Sequence, residues 1–212
     1  MVSRVLYRPF EESDFDAIAT ILQTDWHNDS DNDVYNYLEA CADLCYCLSV
    51  STFSQVACID GNVRGIVLAR AGKASDEWTE RWDAAKRDII QQMQDIEPEQ
   101  TAGYLAYLRR QVSANNRLLQ ESGISQNDEI TLLAVSSEAQ GLGIGTVLLD
   151  AATSYVSAQG ASTAYLYTDT DCTWRFYESH HFKRMAHYRA KWKEHLKGMP
   201  KESFLYGLDL TA

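Results

Sequence analysis

The sequence predicts an α/β (α+β) fold, in which a mixed central sheet carries helices on both faces. Three observations predict it. Two short apolar runs, at 53–59 and 63–70, flank Asp60-Gly61-Asn62, which is a strong β-hairpin signal. The polar stretch 73–128 has helical spacing of its apolar residues. A buried-type strand at 129–135 then leads through a glycine-rich turn into an amphipathic helix.

The first and last elements follow the same patterns. Residues 2–7 alternate enough for a first strand, and acidic residues then open a helix where its dipole favours negative charge. A second helix is expected at about 33–47. After the glycine turn we expect a helix at 145–159 that Gly160 ends, a strand at 163–168, a short helix through 174–177, and closing strands near 182–190 and 203–210.

The stretch 73–128 is expected to form two or three helices joined near Pro98. It is too short and too polar for a good core of its own, so it is interpreted as a helical insertion within a single domain spanning 1–212. It enters just before the strand at 129–135 and could cover the acceptor side of a cleft. Its aromatic residues would then line that pocket or, alternatively, pack the helices on the sheet: Trp78, Trp82, Tyr104 and Tyr107.

The composition narrows the class of protein. Lys and Arg number 19 and Asp and Glu number 30, a formal net charge of −11 that repels nucleic acid and anionic membranes. No apolar run reaches the roughly 18 residues of a membrane span, and the N-terminus lacks a signal-peptide core. We therefore expect a cytoplasmic protein without nucleic-acid or membrane partners.

The cysteines predict core packing and no metal site. There are five, without the spacing of a disulfide framework. Cys41, Cys45 and Cys47 lie close together, but no histidine is near them in the sequence, and the first two have the i,i+4 spacing of a buried helix face.

The turn Gln140-Gly141-Leu142-Gly143-Ile144-Gly145 follows a strand and opens a helix. Alternate glycines let backbone amides point inward, and the helix N-terminus adds partial positive charge, so the turn can hold a pyrophosphate without Lys or Arg. A dinucleotide fingerprint would need glycine where Thr146 stands, and a Walker loop would need Gly-Lys-Ser/Thr. A glycine-rich turn without a ligand remains the alternative.

Two motifs resemble the GNAT superfamily of acetyl-CoA-dependent N-acetyltransferases. The family pattern Q/R-x-x-G-x-G/A is matched by Gln140, Gly143 and Gly145. About 30 residues downstream, residues 176–182 resemble the signature FYExxGF, with His181 in place of its glycine. Histidine tolerates positive φ, so this turn can survive. The resemblance is firm over 129–182.

The resemblance implies a GNAT fold, with a mixed, mostly antiparallel central sheet and acetyl-CoA as co-substrate. It implies that the strand residues Leu133, Ala134 and Val135 line the pantetheine arm, with the amide of Leu133 donating to the thioester carbonyl. It also implies that the turn binds the pyrophosphate through Gln140, Gly141, Leu142, Gly143, Ile144, Gly145 and Thr146.

Acetyl transfer needs a neutral amine, of which roughly one part in a thousand exists at pH 7 for a pKa of about 10.4. Glu129 is the candidate general base, because its spacing from Gln140 is that of histone-type family members. The alternative is that Glu129 is only a solvated carboxylate at the end of a strand. Asp128 is the neighbouring residue that could take its place as base. Tyr177 would protonate the CoA thiolate, unless it is only a core aromatic. Cys172 is a weaker candidate as nucleophile, since no activating histidine is visible.

The leading functional hypothesis is an enzyme that acetylates a primary amine of a small molecule or peptide. The alternatives are a non-catalytic acetyl-CoA sensor or binding module of the same fold, and a transferase that uses another acyl-CoA. Family members are often dimers, so the resemblance allows a homodimer. The His180-His181 pair is interpreted as turn and surface, or else as a substrate contact.

Overall fold

The structure is a computed structural model that describes residues 4–211, so Val2 and Ser3 of the predicted first strand lie outside the described residues. Seven strands form one sheet in the order β1-β2-β3-β4-β5-β7-β6, and all neighbours are antiparallel except β4 and β5. The mixed, mostly antiparallel sheet is thus confirmed. The strands are β1 Val5–Arg8, β2 Phe53–Ile59, β3 Asn62–Ala71, β4 Asp128–Val135, β5 Thr163–Asp169, β6 Lys183–Arg189 and β7 Glu202–Asp209.

Seven α-helices flank this sheet within the described part of the chain. They are α1 Phe15–Trp26, α2 Asp33–Val50, α3 Asp76–Ile96, α4 Pro98–Ser122, α5 Ile144–Ala158, α6 Arg175–Ser179 and α7 Trp192–His195. The helical insertion before the fourth strand is confirmed as α3 and α4, and Pro98 is the first residue of α4. In residues 4–211 no helix combines the length and the apolar character needed to cross a bilayer.

Helices α1 to α3 cover one face of the sheet. Ile66 and Leu68 of β3 face a cluster that includes Leu44 of α2 and Trp82 of α3. Trp82 stacks on Phe15 of α1 with ring centroids 5.5 Å apart. Trp82 therefore packs the insertion on the first two helices rather than lining a pocket.

Trp78 and the α2 cysteines belong to the same layer. The Trp78 indole donates a hydrogen bond of 2.7 Å to the Leu48 carbonyl at the end of α2. Cys41, Cys45 and Cys47 are buried, as core packing predicts. Burial raises the pKa of Cys41 to about 11 and that of Cys45 to about 12, so both thiols are protonated at neutral pH.

Helix α5 covers the opposite face of the sheet. Val67 and Ala69 of β3 alternate with Ile66 and Leu68, so their side chains point to this opposite face and pack against α5. The side chains of β5 also alternate between the two faces of the sheet. Leu166 faces α5, whereas Tyr165 packs with Leu118 of α4. Helix α4 therefore shares its face of the sheet with α1 to α3.

A buried histidine joins α1 to α2. His27 Nδ1 lies 3.1 Å from a Glu39 carboxylate oxygen, and Nε2 lies 3.3 Å from a carboxylate oxygen of Asp43, an ion-pair distance without hydrogen-bond alignment. Burial opposes the positive charge, but the Asp43 and Glu39 carboxylates outweigh it and raise the pKa of His27 to about 9. The imidazolium is thus the native form at pH 7.

The interaction of His27 with Glu39 and Asp43 predicts a free energy of unfolding that depends on pH. Because the folded pKa of His27 lies above the unfolded value of about 6.5, its contribution is complete below pH 6.5 and is lost as the pH rises to about 9. In urea unfolding, His27→Gln should lower the free energy of unfolding by on the order of 2 kcal/mol at pH 6 and much less at pH 9. The exposed His181→Asn is the control. If the free energies of unfolding of His27→Gln and the parent protein differed by the same amount at pH 6 and pH 9, this role of His27 would be contradicted.

Candidate active site between strands β4 and β5

Strands β4 and β5 meet only at their beginnings. Their parallel register contains a single pair, Glu129 with Tyr165. Beyond this pair the two strands no longer pair, and the space between them is called the gap. Ser136 N–H donates to the Arg64 carbonyl on the β3 side. Since peptide groups alternate along a strand, Leu133 and Val135 turn their N–H and C=O groups toward the gap. Ala134 instead turns its main chain to β3.

The glycine turn brings an uncapped helix N-terminus close to that gap. Gly143 is the N-cap of α5 in the left-handed conformation, at φ 76°, and Gly141 has φ 77°. The first helical hydrogen bond runs from Val147 N–H to the Gly143 carbonyl, so the amides at positions 144–146 have no helical partner. No side chain caps this end within residues 4–211. Such an end binds anions.

Helix α6 packs directly on the first turn of α5. A Cβ at Gly145 would lie 3.4 Å from the Phe176 ring, so glycine permits this approach. Thr146 Oγ1 lies 2.9 Å from His180 Nε2, and His180 Nδ1 lies 2.8 Å from the Phe176 carbonyl. Because a carbonyl only accepts, Nδ1 carries a proton, and in the neutral ring Nε2 accepts from Thr146. His180 therefore bridges the two helices. The sequence did not reveal this contact.

Tyr177 lies on the α5 face of the gap. Its ring packs against the same apolar cluster as Leu133 and Val135, and its hydroxyl has no hydrogen-bond partner within residues 4–211. Burial raises its pKa, so the phenol stays protonated at neutral pH. The next residue, Glu178, accepts a 2.7 Å hydrogen bond from the Tyr206 hydroxyl on β7 and so anchors α6 to the sheet.

The turn after α6 has the geometry that the sequence suggested. His181 adopts φ 67° at the position of the family glycine. The Phe182 amide donates to the Tyr177 carbonyl and closes the turn. Histidine is thus accommodated in the left-handed region without loss of the turn.

Glu129 lies on the other face of the gap. Its Oε2 accepts from Arg70 Nη2 at 2.5 Å and from the Tyr165 hydroxyl at 3.3 Å. Burial raises the pKa of Glu129, an effect that Arg70 and the Tyr165 hydrogen bond only partly offset. Glu129 and Tyr177, the two predicted catalytic residues, therefore flank the gap from opposite faces of the sheet.

The α4 face of the gap contains further polar groups that sequence reasoning missed. Asp169 ends β5 on the side of Tyr165 and Tyr167, and no cationic side chain in the described chain lies within ion-pairing distance of it. Burial raises its pKa. Burial and Asp169 raise the pKa of Cys172 to about 12, which makes this thiol a poor nucleophile. In the sequence, the alternation of side chains along the strand at 163–169 was the signal that could have placed Asp169 on the same face as Tyr165 and Tyr167.

The two predicted pocket tyrosines of α4 differ. Tyr104 is buried in a cluster with Tyr35 and Met93, where it packs the insertion on α2. Tyr107 is half-buried, and its ring lies 3.9 Å from the position of a Cβ on Gly198, in the β6–β7 connection. Only Tyr107 thus remains a candidate for the acceptor side.

Solved structures with this fold are numerous. Ard1 from Thermoplasma volcanium is 16% identical, with a TM-score of 0.54 and 97% of each chain covered. The ribosomal-protein-S18-alanine N-acetyltransferase from Escherichia coli is 10% identical, with a TM-score of 0.53, and the match covers 98% of this chain and 94% of that one. A GCN5-related N-acetyltransferase structure from Rhodopseudomonas palustris is 14% identical, with a TM-score of 0.57 and 99% of each chain covered. At these identities the likeness shows the fold.

Sequence comparison identifies the family. No curated protein matches the sequence significantly. The family model described as "Acetyltransferase (GNAT) family" matches residues 15–182, which include the glycine turn, both strands of the gap and the FYExxGF-like segment. The family implies acetyl-CoA as co-substrate. The chain belongs to the GNAT acetyltransferase family.

Proposed function

We propose that this protein transfers an acetyl group from acetyl-CoA directly to a primary amine of a small molecule or peptide. The observation that carries the proposal is the uncapped N-terminus of α5 next to the unpaired edge of β4. The free amides of α5, with the turn from Gln140, would hold the pyrophosphate. The pantetheine arm would then pair with Leu133 and Val135 as an added strand.

The residues of the gap supply the remaining chemistry. The Leu133 amide would donate to the thioester carbonyl oxygen as charge develops there, an effect of about 3 kcal/mol in comparable oxyanion sites. Glu129 would accept the proton that the amine loses as its nitrogen bonds to the acetyl carbon. Tyr177 would protonate the sulfur as the carbon–sulfur bond breaks.

The acceptor would approach from the α4 face. The groups proposed to bind the cofactor lie on the α5 face, whereas Tyr167 and Asp169 lie with Glu129 on the other. A carboxylate without a cationic partner suits an ammonium group near the reacting amine. The E. coli relative is named for a protein substrate, so peptide N-termini belong with alkylamines among the acceptors to test.

Gly143→Ala tests the phosphate turn. Alanine at φ 76° costs about 1–2 kcal/mol, and the turn would relax away from the conformation that presents its amides. We expect CoA affinity by calorimetry to fall about tenfold. Gly103→Ala on α4, where a Cβ meets no atom within 4 Å, is the matched control and should bind CoA as the parent does. Absence of CoA binding by the parent protein would refute the proposed function.

Tyr177→Phe tests the general acid and separates an enzyme from a sensor. Loss of the hydroxyl should reduce turnover about 10²- to 10⁴-fold, with CoA affinity unchanged. Free-thiol release with a panel of alkylamines and peptide N-termini measures the rate. Unchanged turnover would remove Tyr177 from the mechanism. A parent protein that binds acetyl-CoA but acetylates no amine would favour the sensor.

Glu129→Gln tests the general base. The amide cannot accept the proton, so kcat/KM should fall about 10²-fold or more at neutral pH. In the parent, kcat/KM should fall at acidic pH, as protonation passes through the raised pKa of Glu129. Asp128→Asn is the control at the neighbouring carboxylate. A larger loss in Asp128→Asn than in Glu129→Gln would transfer the role to Asp128.

A further inference from the structure

We propose that Arg70 is a positioning residue: together with Tyr165 it holds one carboxylate oxygen of Glu129 and leaves the other free to take the acceptor's proton. The inference rests on the proposed function, because it assumes that Glu129 is the base. It adds a residue of β3, outside both sequence motifs, to the machinery of the reaction.

The geometry places Arg70 beside Glu129 by strand register. The two residues are direct cross-strand partners on β3 and β4, so their side chains emerge next to each other. Arg70 Nη2 lies 2.5 Å from Glu129 Oε2 and 2.9 Å from the Gln126 carbonyl oxygen. The second contact fixes the guanidinium from the loop before β4.

Tyr165 on β5 contacts the same carboxylate oxygen. Its hydroxyl lies 3.3 Å from the same Oε2 and 3.1 Å from the Gln126 carbonyl, so its one proton is shared between these two acceptors. The hydroxyl oxygen in turn accepts from Arg70 Nη2 at 3.3 Å. All these contacts to the carboxylate end on one oxygen. Glu129 Oε1 accepts no hydrogen bond from any residue in the described chain. A fixed carboxylate with one free oxygen is the arrangement that a general base needs.

The charge of Arg70 also favours the ionised form of Glu129. The titratable or charged groups that face Glu129 are Arg70 from β3, Tyr165 and Tyr167 from β5, and Tyr46 and Cys47 from α2. Arg70 is the one cation in this set. Burial favours the neutral carboxylic acid, and a protonated Glu129 could not act as a base. Arg70 opposes that effect without covering Oε1.

The competing explanation is an ion pair that only joins β3 to β4. Both explanations predict some loss of stability when Arg70 is replaced, so stability does not distinguish them. They differ in the pH dependence of the reaction. If Arg70 serves Glu129 as base, its replacement moves the acidic limb of kcat/KM and lowers kcat. If the pair is only structural, Glu129 takes no proton in the reaction, and the limb stays in place.

The experiment compares pH profiles of kcat/KM for the full-length parent, Arg70→Gln, Arg70→Lys and Tyr165→Phe, at a temperature where all are folded. Arg70→Gln should move the acidic limb to higher pH, because the cation no longer favours the carboxylate. It should also lower kcat roughly tenfold to hundredfold with CoA affinity retained. Arg70→Lys should keep the limb near that of the parent and recover part of kcat.

The control is Arg64→Gln, which breaks another ion pair of β3, the 2.6 Å contact with Glu138. It should leave the acidic limb in place. If Arg70→Gln does not fold, Arg70→Lys and Tyr165→Phe carry the test, and a kcat equal to that of the parent in both would overturn the proposal. An unmoved limb in Arg70→Gln would also overturn it, provided that Glu129→Gln is inactive. A fully active Glu129→Gln would instead refute the base itself.

Discussion

The separation of β4 from β5 after the pair Glu129 and Tyr165 is the constraint on which the site depends. Inside a sheet, each strand normally satisfies the backbone groups of its neighbour, and unpaired buried groups are costly. Among residues 4–211, the β4 edge beyond Glu129 has β3 on one side and no strand on the other. A ligand that hydrogen-bonds like a strand removes this deficit. In the proposed function, the pantetheine arm of the co-substrate completes the sheet at this edge.

The N-terminus of α5 has the same kind of deficit. Within the part of the chain that the structure describes, its first-turn amides have neither helical partners nor a side-chain cap, and the left-handed Gly143 presents them. The two sets of unsatisfied backbone groups follow one another along the chain, from β4 into α5. In the proposed function, CoA, which is anionic and extended, satisfies both at once. Side-chain charge is unnecessary for this, which fits a turn without Lys or Arg.

The two faces of the gap give two ionisable groups different surroundings. Burial among apolar side chains keeps Tyr177 protonated on the α5 face. Burial would also protonate Glu129 on the α4 face, but there the Arg70 guanidinium opposes it. An acid and a base near one reaction centre need such different surroundings. The sheet places Tyr177 and Glu129 on its two sides, as the acid and base roles proposed for them require.

The sequence predicted those parts of the structure that depend on local backbone preferences. The Asp60-Gly61 turn, the glycine turn and the helical insertion were all visible in it. The four-residue helix α7 was too short to have a periodic pattern. Arg70 and Glu129 are 59 residues apart, and nothing local marks them as partners. Their pairing follows from strand register, which only the assembled sheet defines.

This difference also separates the proposed cofactor side, which a sequence motif marks, from the proposed acceptor side, which no motif marks. In the proposed function CoA is held by main-chain groups, and the conformation of the main chain at glycine is visible in a motif. The proposed acceptor side is bordered by α4, which contacts the β6–β7 connection through Tyr107 and a 2.7 Å hydrogen bond from Arg110 to the Lys197 carbonyl. These are side-chain contacts between segments distant in sequence. In the proposed function, acceptor specificity therefore depends on how the insertion packs, and no short motif encodes that.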